Sequence, residues 1–349
     1  MQRAPVTYRR LQWFGICALI ALLVYLPLIS DARELRNHTK IIITVLAVLG
    51  VNIATGYGGM ISLGHAVFVG VGAFGTAYFV DDMGLPWVIS LVGGAVSAAI
   101  FGLLIAVPAL RIRGIHLALV TLAFAIVFQP LAKRFPKFSG GISGKSVEAE
   151  LVAPGIFGEG RLADARWQYV FCIAVCVVAI LLVRNVIDSR AGRAMRALRD
   201  NQTSAAVYGV NLVRTRIATF ALSAGLAGLA GGLQVVLVPF VSQENYPPQA
   251  SLVLYATAVI GGLGSLWGSV FGVAIRQVFG EVGDVLKRID DIPVLSELFD
   301  LLDSDSFVFG VGLIALMFLV PGGLASIRLG RGDRVGRLAA WVRRRYRAA

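Results

Sequence analysis

Charge is what this chain has least of. Only 15% of its 349 residues are Asp, Glu, Lys or Arg, while 57% are hydrophobic and the mean hydropathy is +0.78. A water-soluble domain of this length needs more polar surface than that. Cysteine is scarce too. Cys17, Cys172 and Cys176 all lie inside apolar runs, which excludes a disulfide framework and a CxxC metal site. Cys172 and Cys176, four residues apart, read as small packing residues. Three histidines scattered at positions 38, 65 and 116 exclude a cluster of the HExxH kind, so no metal site is expected. The net charge of +12 is not accompanied by interleaved aromatics that stack bases, so no nucleic-acid partner is expected. A complete phosphate-binding loop is also missing. The octapeptide SGGISGKS has Ser139 where GxxxxGK[ST] requires glycine, and no helix signal follows Ser146 before Pro154. The short alternating segments of a β-barrel do not occur.

What the chain does have is a series of apolar runs, several of the ~20 residues that cross a hydrocarbon core. They fall at 11–29, 41–54, 66–80, 87–107, 115–131, 167–183, 217–238, 251–260, 269–282 and 307–320. The pattern predicts an all-α fold, a polytopic transmembrane helical bundle of about ten membrane segments, with two glycine-broken helices and both termini cytoplasmic. The first run reads as a retained helix, because it is long and no small-residue cleavage site follows it. In the fifth, Gln129 and Pro130 mark the end. The arginines gather in the turn at 108–114, in a polar island at 189–216 and in a tail that ends RRRYRAA, which places these inside. The loop at 133–166 and the acidic loop at 283–305 are then external; in the latter, Leu295, Leu298, Leu301 and Leu302 outline an amphipathic surface helix. Arg33, Arg36 and Lys40 run against this topology, since they fall in the first external loop. A transmembrane domain over 1–327 and a basic cytoplasmic tail over 328–349, able to lie on membrane lipid, complete the division.

Two glycine clusters interrupt this series. The second apolar run stops at Thr55-Gly56-Tyr57-Gly58-Gly59, and Ser62, Gly64 and His65 precede the third. The eighth stops at Gly261-Gly262-Leu263-Gly264-Ser265. Irregular backbone at membrane depth is tolerated where protein encloses it or where it lines a wet cavity, so these residues are candidates for a substrate path; tight inter-helix turns are the simpler reading. Gly59 leads into Ser62-Leu63 and Val67-Phe68, and Gly262 into Ser265-Leu266 and Val270-Phe271 at the same offsets, an internal echo of paired interrupted helices. His65 is placed to cap a half-helix, to pack, or to touch solute. The SAGLAGLAGG stretch from Ser223 to Gly232 reads as a close-packing helix face.

The island at 189–216 predicts two short helices. Ala191, Ala194, Met195 and Leu198 form one apolar stripe, with Arg190, Arg193, Arg196 and Arg199 on the other side. Asp200-Asn201 interrupts, Thr203 or Ser204 starts the second helix, and Gly209 stops it. Such a loop docks into another protein, or its arginines simply fix topology and bind anionic lipid. The spans themselves are nearly free of ionisable residues, with Arg276 and Glu281 the main exceptions. An ion-driven carrier usually holds such residues mid-span, so any energy for transport would have to arrive through a partner.

Several of these stretches, in order along the chain, carry a resemblance. GYGGMISLGHAVFVGVGAF, SGGISG, GRAMRALRDNQTSAAVYGVN, GGLGSLWGSVFG and PGGL resemble motifs of the permeases of bacterial importers of branched-chain and other hydrophobic amino acids, LivM-like membrane subunits. The resemblance implies a non-enzymatic ABC importer subunit in the bacterial inner membrane. Its implied partners are a second homologous permease, two cytoplasmic ATPases that carry the ATP and magnesium, and an external solute-binding protein; no cofactor is bound by this chain. By position, Gly192, Arg193, Ala197, Arg199, Asp200, Asn201, Ala205 and Gly209 match the ATPase-coupling loop. Gly58, Gly59, Ser62, Gly64, His65, Gly261, Gly262, Gly264 and Ser265 fall in the two breaks of the translocation path. Gln202 stands where the family often has an acidic residue. Urea importers are similar to this family, so urea or another small polar solute is the alternative cargo. A stand-alone channel or a membrane scaffold are the readings outside it.

Overall fold

The computed structural model describes residues 27, 29–109, 115–149, 151–158, 160–287, 310 and 312–314. Most of the first and last apolar runs, the turn at 110–114, the acidic segment from 288 and the basic tail lie outside the described residues. The long helices are α1 (Ala32–Asn52), α2 (His65–Ala77), α3 (Trp87–Ala109), α4 (Ile115–Lys133) and α5 (Arg161–Asp188). Two short ones follow, α6 (Arg190–Asp200) and α7 (Gln202–Val207), and then α8 (Leu212–Leu237), α9 (Pro248–Gly261) and α10 (Leu266–Lys287). Five helical segments among the described residues are long and apolar enough to cross a membrane, and a sixth crossing results if α9 and α10, bent by 115° at their junction, count as one.

Several boundaries differ from the sequence reading, each for a local reason. Arg33, Arg36 and Lys40 are not in a loop: they decorate the first turns of α1, which begins nine residues before the apolar run. Pro130 does not end α4, which continues through it to Lys133. The loop expected over 133–166 is shorter, because α5 starts at Arg161, six residues before the apolar run. Within that loop, Lys145–Ser146 (β1) pairs antiparallel with Phe240–Val241 (β2), and Lys145 forms an ion pair with Asp82. The SGGISG motif is thus pinned against the connection between α8 and α9.

Burial sorts the helices into layers. The apolar windows of α1 and α8 are 72% buried, whereas those of α3, α4 and α5 are only about a third or less. On α3 Val88, Val92, Val96, Ile100 and Leu104, one every fourth position, are each at least half exposed, with Ile89 beside them. A continuous apolar stripe of that length belongs against lipid tails rather than water. α2 is the hub: every residue but Val71 is buried, among α1, α3, α8 and α9. Some hydroxyls inside this bundle fold back on their own helices, as Thr39 does to the Leu35 carbonyl (2.8 Å) and Thr257 to Val253 (2.7 Å).

The small residues of α8 bring backbones together. A side chain at Gly72 would overlap the Gly228 backbone, one at Gly228 the Ala98 methyl, and one at Gly231 the Val69 carbonyl. Close approach is how helices associate where lipid supplies no hydrophobic drive. Gly72→Val is therefore expected to cost about 1–3 kcal/mol of packing strain, read as a lowered unfolding midpoint of the detergent-purified chain.

Candidate functional site

The helix α1 does not stop cleanly at Asn52. Residues Ile53–Tyr57 widen into a π-helical turn, with the Gly58 amide donating to the Ile53 carbonyl (3.0 Å) and the Met60 amide to Ala54 (2.9 Å). Wide turns of this kind gather at functional positions. Asn52 sits at its start, fully buried. A buried amide in a bilayer must find partners inside the protein, and this one finds them across the bundle. Its Nδ2 donates to the Ser265 carbonyl (2.7 Å) and to Ser269 Oγ (3.1 Å); its Oδ1 accepts from the Gly264 amide (2.7 Å). One side chain thereby stitches the first glycine break to the second.

The glycines around Asn52 are required by contact. A side chain at Gly56 would overlap both Asn52 Oδ1 and the Gly264 nitrogen. Gly59 has φ +67° and lies where a Cβ would come within 2.9 Å of Arg199 Cγ. Arg199 joins from the polar island: its Nη1 donates to the Gly56 carbonyl (2.7 Å) and its Nε to Asp200 (2.9 Å). Gly264, at φ +80°, lies against the same guanidinium. Both breaks and the island therefore meet at one junction of Asn52, Gly56, Arg199 and Gly264.

The rest of the first break is held by other helices. The Leu63 amide donates to Thr121 Oγ1 of α4 (2.9 Å), and the Ala66 amide to Ser251 Oγ of α9 (3.0 Å), which supplies the cap that Gly64 lacks. His65, fully buried, opens α2 with its ring edge-on to Phe68. Ser223 donates its hydrogen to the Gly50 carbonyl (2.7 Å), so the 2.6 Å contact to His65 requires His65 Nε2 to be the donor. Its Nδ1 and the nearby Ser62 Oγ are buried without a hydrogen-bond partner among the described residues. Gly261 packs on the Gly268 carbonyl and so permits the sharp α9–α10 bend, with Gly262 at φ +107°.

In the island, α6 is capped by Ser189, and α7 by Asn201 rather than by Thr203 or Ser204. Asn201 wins because its Oδ1 reaches the Ser204 amide (2.9 Å) from extended backbone. The apolar face is Met195 and Leu198 with Gly192, not Ala191, which is exposed; Gly192 turns inward because any side chain there would strike the Ile187 carbonyl. Arg193 is exposed, Ala197 half-buried and Ala205 buried, and Gly209, at φ +82°, follows the end of α7. Gln202 accepts from Arg216, so it ties α7 to α8. Val207 and Tyr208, 81% and 87% exposed, form an apolar tip.

A cavity of about 770 Å³ lies at the other end of α1, between α1, the end of α8, α9 and α10. None of the break residues named from the sequence lines it, although Ala66, next to His65, does. The profile of the family described as branched-chain amino acid transport system / permease component matches residues 35–320. The chain belongs to this family.

Membership makes it a transport permease component, a multi-pass membrane subunit of an ABC importer, a class that works with ATPase and solute-binding partners. Among its relatives, the high-affinity branched-chain amino acid transport system permease protein LivM of Salmonella typhimurium is 27% identical over 290 residues, 76% of this chain and 67% of that one. The inner membrane ABC transporter permease protein YjfF of Escherichia coli is 33% identical over 128 residues, 34% and 36% of the two chains. The fructose import permease protein FrcC of Rhizobium meliloti is 28% identical over 145 residues, 40% of each. No solved structure matches the chain significantly. Asn52, Val207 and Tyr208 are the permease residues that the sequence reading missed. A lone asparagine between apolar neighbours was the available signal for the first; the exposed tip carries none.

Proposed function

We propose that this permease forms half of the translocation pathway for branched-chain or other hydrophobic amino acids. It pairs with a second homologous permease, receives solute from an external binding protein, and is driven by two ATPases docked on residues 190–209. The chain itself catalyses no reaction and binds no cofactor; ATP and magnesium stay on the ATPases. The full bundle has about ten segments with both termini cytoplasmic in the bacterial inner membrane, so that the island, the 108–114 turn and the 328–349 tail face the ATPases. The permease domain spans 1–327, with the 134–160 connection and the acidic segment after Lys287 on the outer side.

The observation that carries this reading is the bond from Arg199 Nη1 to the Gly56 carbonyl. Gly192, Arg193, Ala197, Asp200, Asn201, Ala205 and Gly209 shape the docking helices, and the exposed Val207–Tyr208 tip offers them an apolar contact. A push on α6 then moves Arg199 against both breaks. Gly58, Gly59, Ser62, Gly64, His65, Gly261, Gly262, Gly264 and Ser265 act in the path as its gate rather than its lining, since they separate the cavity from the island. ATP drives the cycle only through a difference in its affinity for the two gate states.

Proteoliposomes holding the permease pair, ATPases and binding protein are expected to accumulate labelled leucine only with ATP inside the ATPase compartment. Uptake by this chain alone would replace the reading with a channel. The likeness to a fructose permease keeps a polar cargo in view; ATP-driven uptake of fructose or urea without leucine uptake would assign that cargo instead.

A further inference from the structure

The large cavity has a charge pattern that the gate does not explain. Ala47, Val69, Leu254 and Val273 give it an apolar inner wall, whereas Lys40 from α1 and Arg276 from α10 bring two cations to it. Among the described residues no Asp or Glu lines it. Neither cation belongs to any of the ion pairs formed among the described residues. The acid nearest along the helix, Glu281, accepts instead from Gln277 (3.4 Å). Ionisable groups on membrane helices are costly and mark solute or ion pathways by default, normally with a partner of opposite sign. Among the described residues there is none, and the two exposed cations line a cavity within the roughly 300–1,000 Å³ that small ligands occupy. Towards the island the lining stops short of the junction: Ala47 is five residues, about 7.5 Å along the helix, before Asn52, and Val273 is four after Ser269, the residue Asn52 binds.

We propose that this cavity is a solute site of the permease itself, in which Arg276 holds the solute's carboxylate. Arg276 offers the planar fork that matches a carboxylate through two parallel hydrogen bonds. Lys40, across the cavity on α1, adds attraction for the same charge. The aliphatic side chain of a branched amino acid packs on Val69, Leu254 and Val273, and the amide oxygens of Asn37 and Gln277 are available to its ammonium. The site rests on the amino-acid reading above and adds a selection step inside the membrane, for monocarboxylates with an apolar side chain.

The experiment uses the complete complex in proteoliposomes, with labelled leucine as the probe. Arg276→Gln is expected to lower ATP-driven leucine uptake at least ~10-fold, while ATPase activity stimulated by the loaded binding protein stays within ~2-fold of the parent. Arg276→Lys keeps the charge without the fork and is expected to raise the uptake KM several-fold at the same ATPase rate; this variant carries the test if Arg276→Gln fails to assemble. Val253→Trp, which fills the cavity without altering charge, is expected to reduce uptake with ATPase retained. Unchanged uptake in the arginine variants overturns the carboxylate site, and so does a parallel loss of uptake and ATPase, which would make Arg276 part of the coupling. If the parent complex imports fructose or urea under ATP but no leucine, it is the amino-acid reading that falls, and the site falls with it.

Discussion

Asn52→Leu is expected to reduce leucine uptake by the assembled importer at least ~30-fold and to raise its ATPase activity in the absence of solute. Leucine nearly matches asparagine in size, so the change leaves packing alone and deletes three hydrogen bonds. The Gly264 amide, the Ser265 carbonyl and Ser269 Oγ then lose their partner, the first two half-buried and the last fully buried. Each orphaned group costs about 1–3 kcal/mol, and a shift of ~2 kcal/mol between two gate states alters their ratio about 30-fold. Only the state with the breaks stitched together gains from Asn52, so its loss favours the opened state and lets ATP turn over unproductively. Asn52→Asp retains the acceptor for Gly264 and loses both donations, and an intermediate phenotype is expected. Wild-type uptake by the leucine variant would show that the stitch has no part in gating.

Arg199→Glu is expected to lower solute-stimulated ATPase activity at least ~10-fold in a complex that still inserts and assembles. A carboxylate cannot donate to the Gly56 carbonyl, and it places a second negative charge beside Asp200. Arg199→Lys is expected to recover part of the activity, since one donor reaches Gly56 while the bond to Asp200 is lost. Gly192→Glu reaches the same end by another route, by forcing α6 away from the Ile187 carbonyl at the α5–α6 corner. Measured turnover equal to the parent in both variants would separate the island from energy transfer.

Much of this molecule could be read from its residues. The apolar runs located the helices because a bilayer requires every backbone group to be paired within its own segment. The interruptions at Gly56–Gly59 and Gly261–Gly264 were visible because glycines cluster there with polar residues between two apolar runs, unlike the spaced packing glycines of α8. The island's two helices and its Gly209 stop followed from periodicity and capping chemistry. Other features were hidden. Arg33, Arg36 and Lys40 look like a loop by hydropathy, yet a helix can begin in water and enter lipid without a break. Pro130 reads as a stop, but α4 runs on through it for three more residues. The junction was the least legible part, since Asn52, Gly56, Arg199 and Gly264 are separated by up to 212 positions and nothing local says that they touch. The two breaks echo one another in sequence, but the echo says nothing of the amide that binds them. The cavity was hidden for the same reason: its cations come from helices more than 200 residues apart.

The glycine-to-backbone seams between α2, α3 and α8 have a consequence for how the subunit works. Interlocked at the level of main chain, these three cannot slide past each other by a fraction of a turn without collision, so they behave as a stator. Displacement during a cycle must then fall on what surrounds it: the long α5 with its α6 crank, and the bent α9–α10 flap hinged at Gly261 and Gly262. The subunit is then expected to work as a fixed block with two movable arms: Arg199 of the first lies against Gly264 of the second, and Asn52 on α1 binds that second arm.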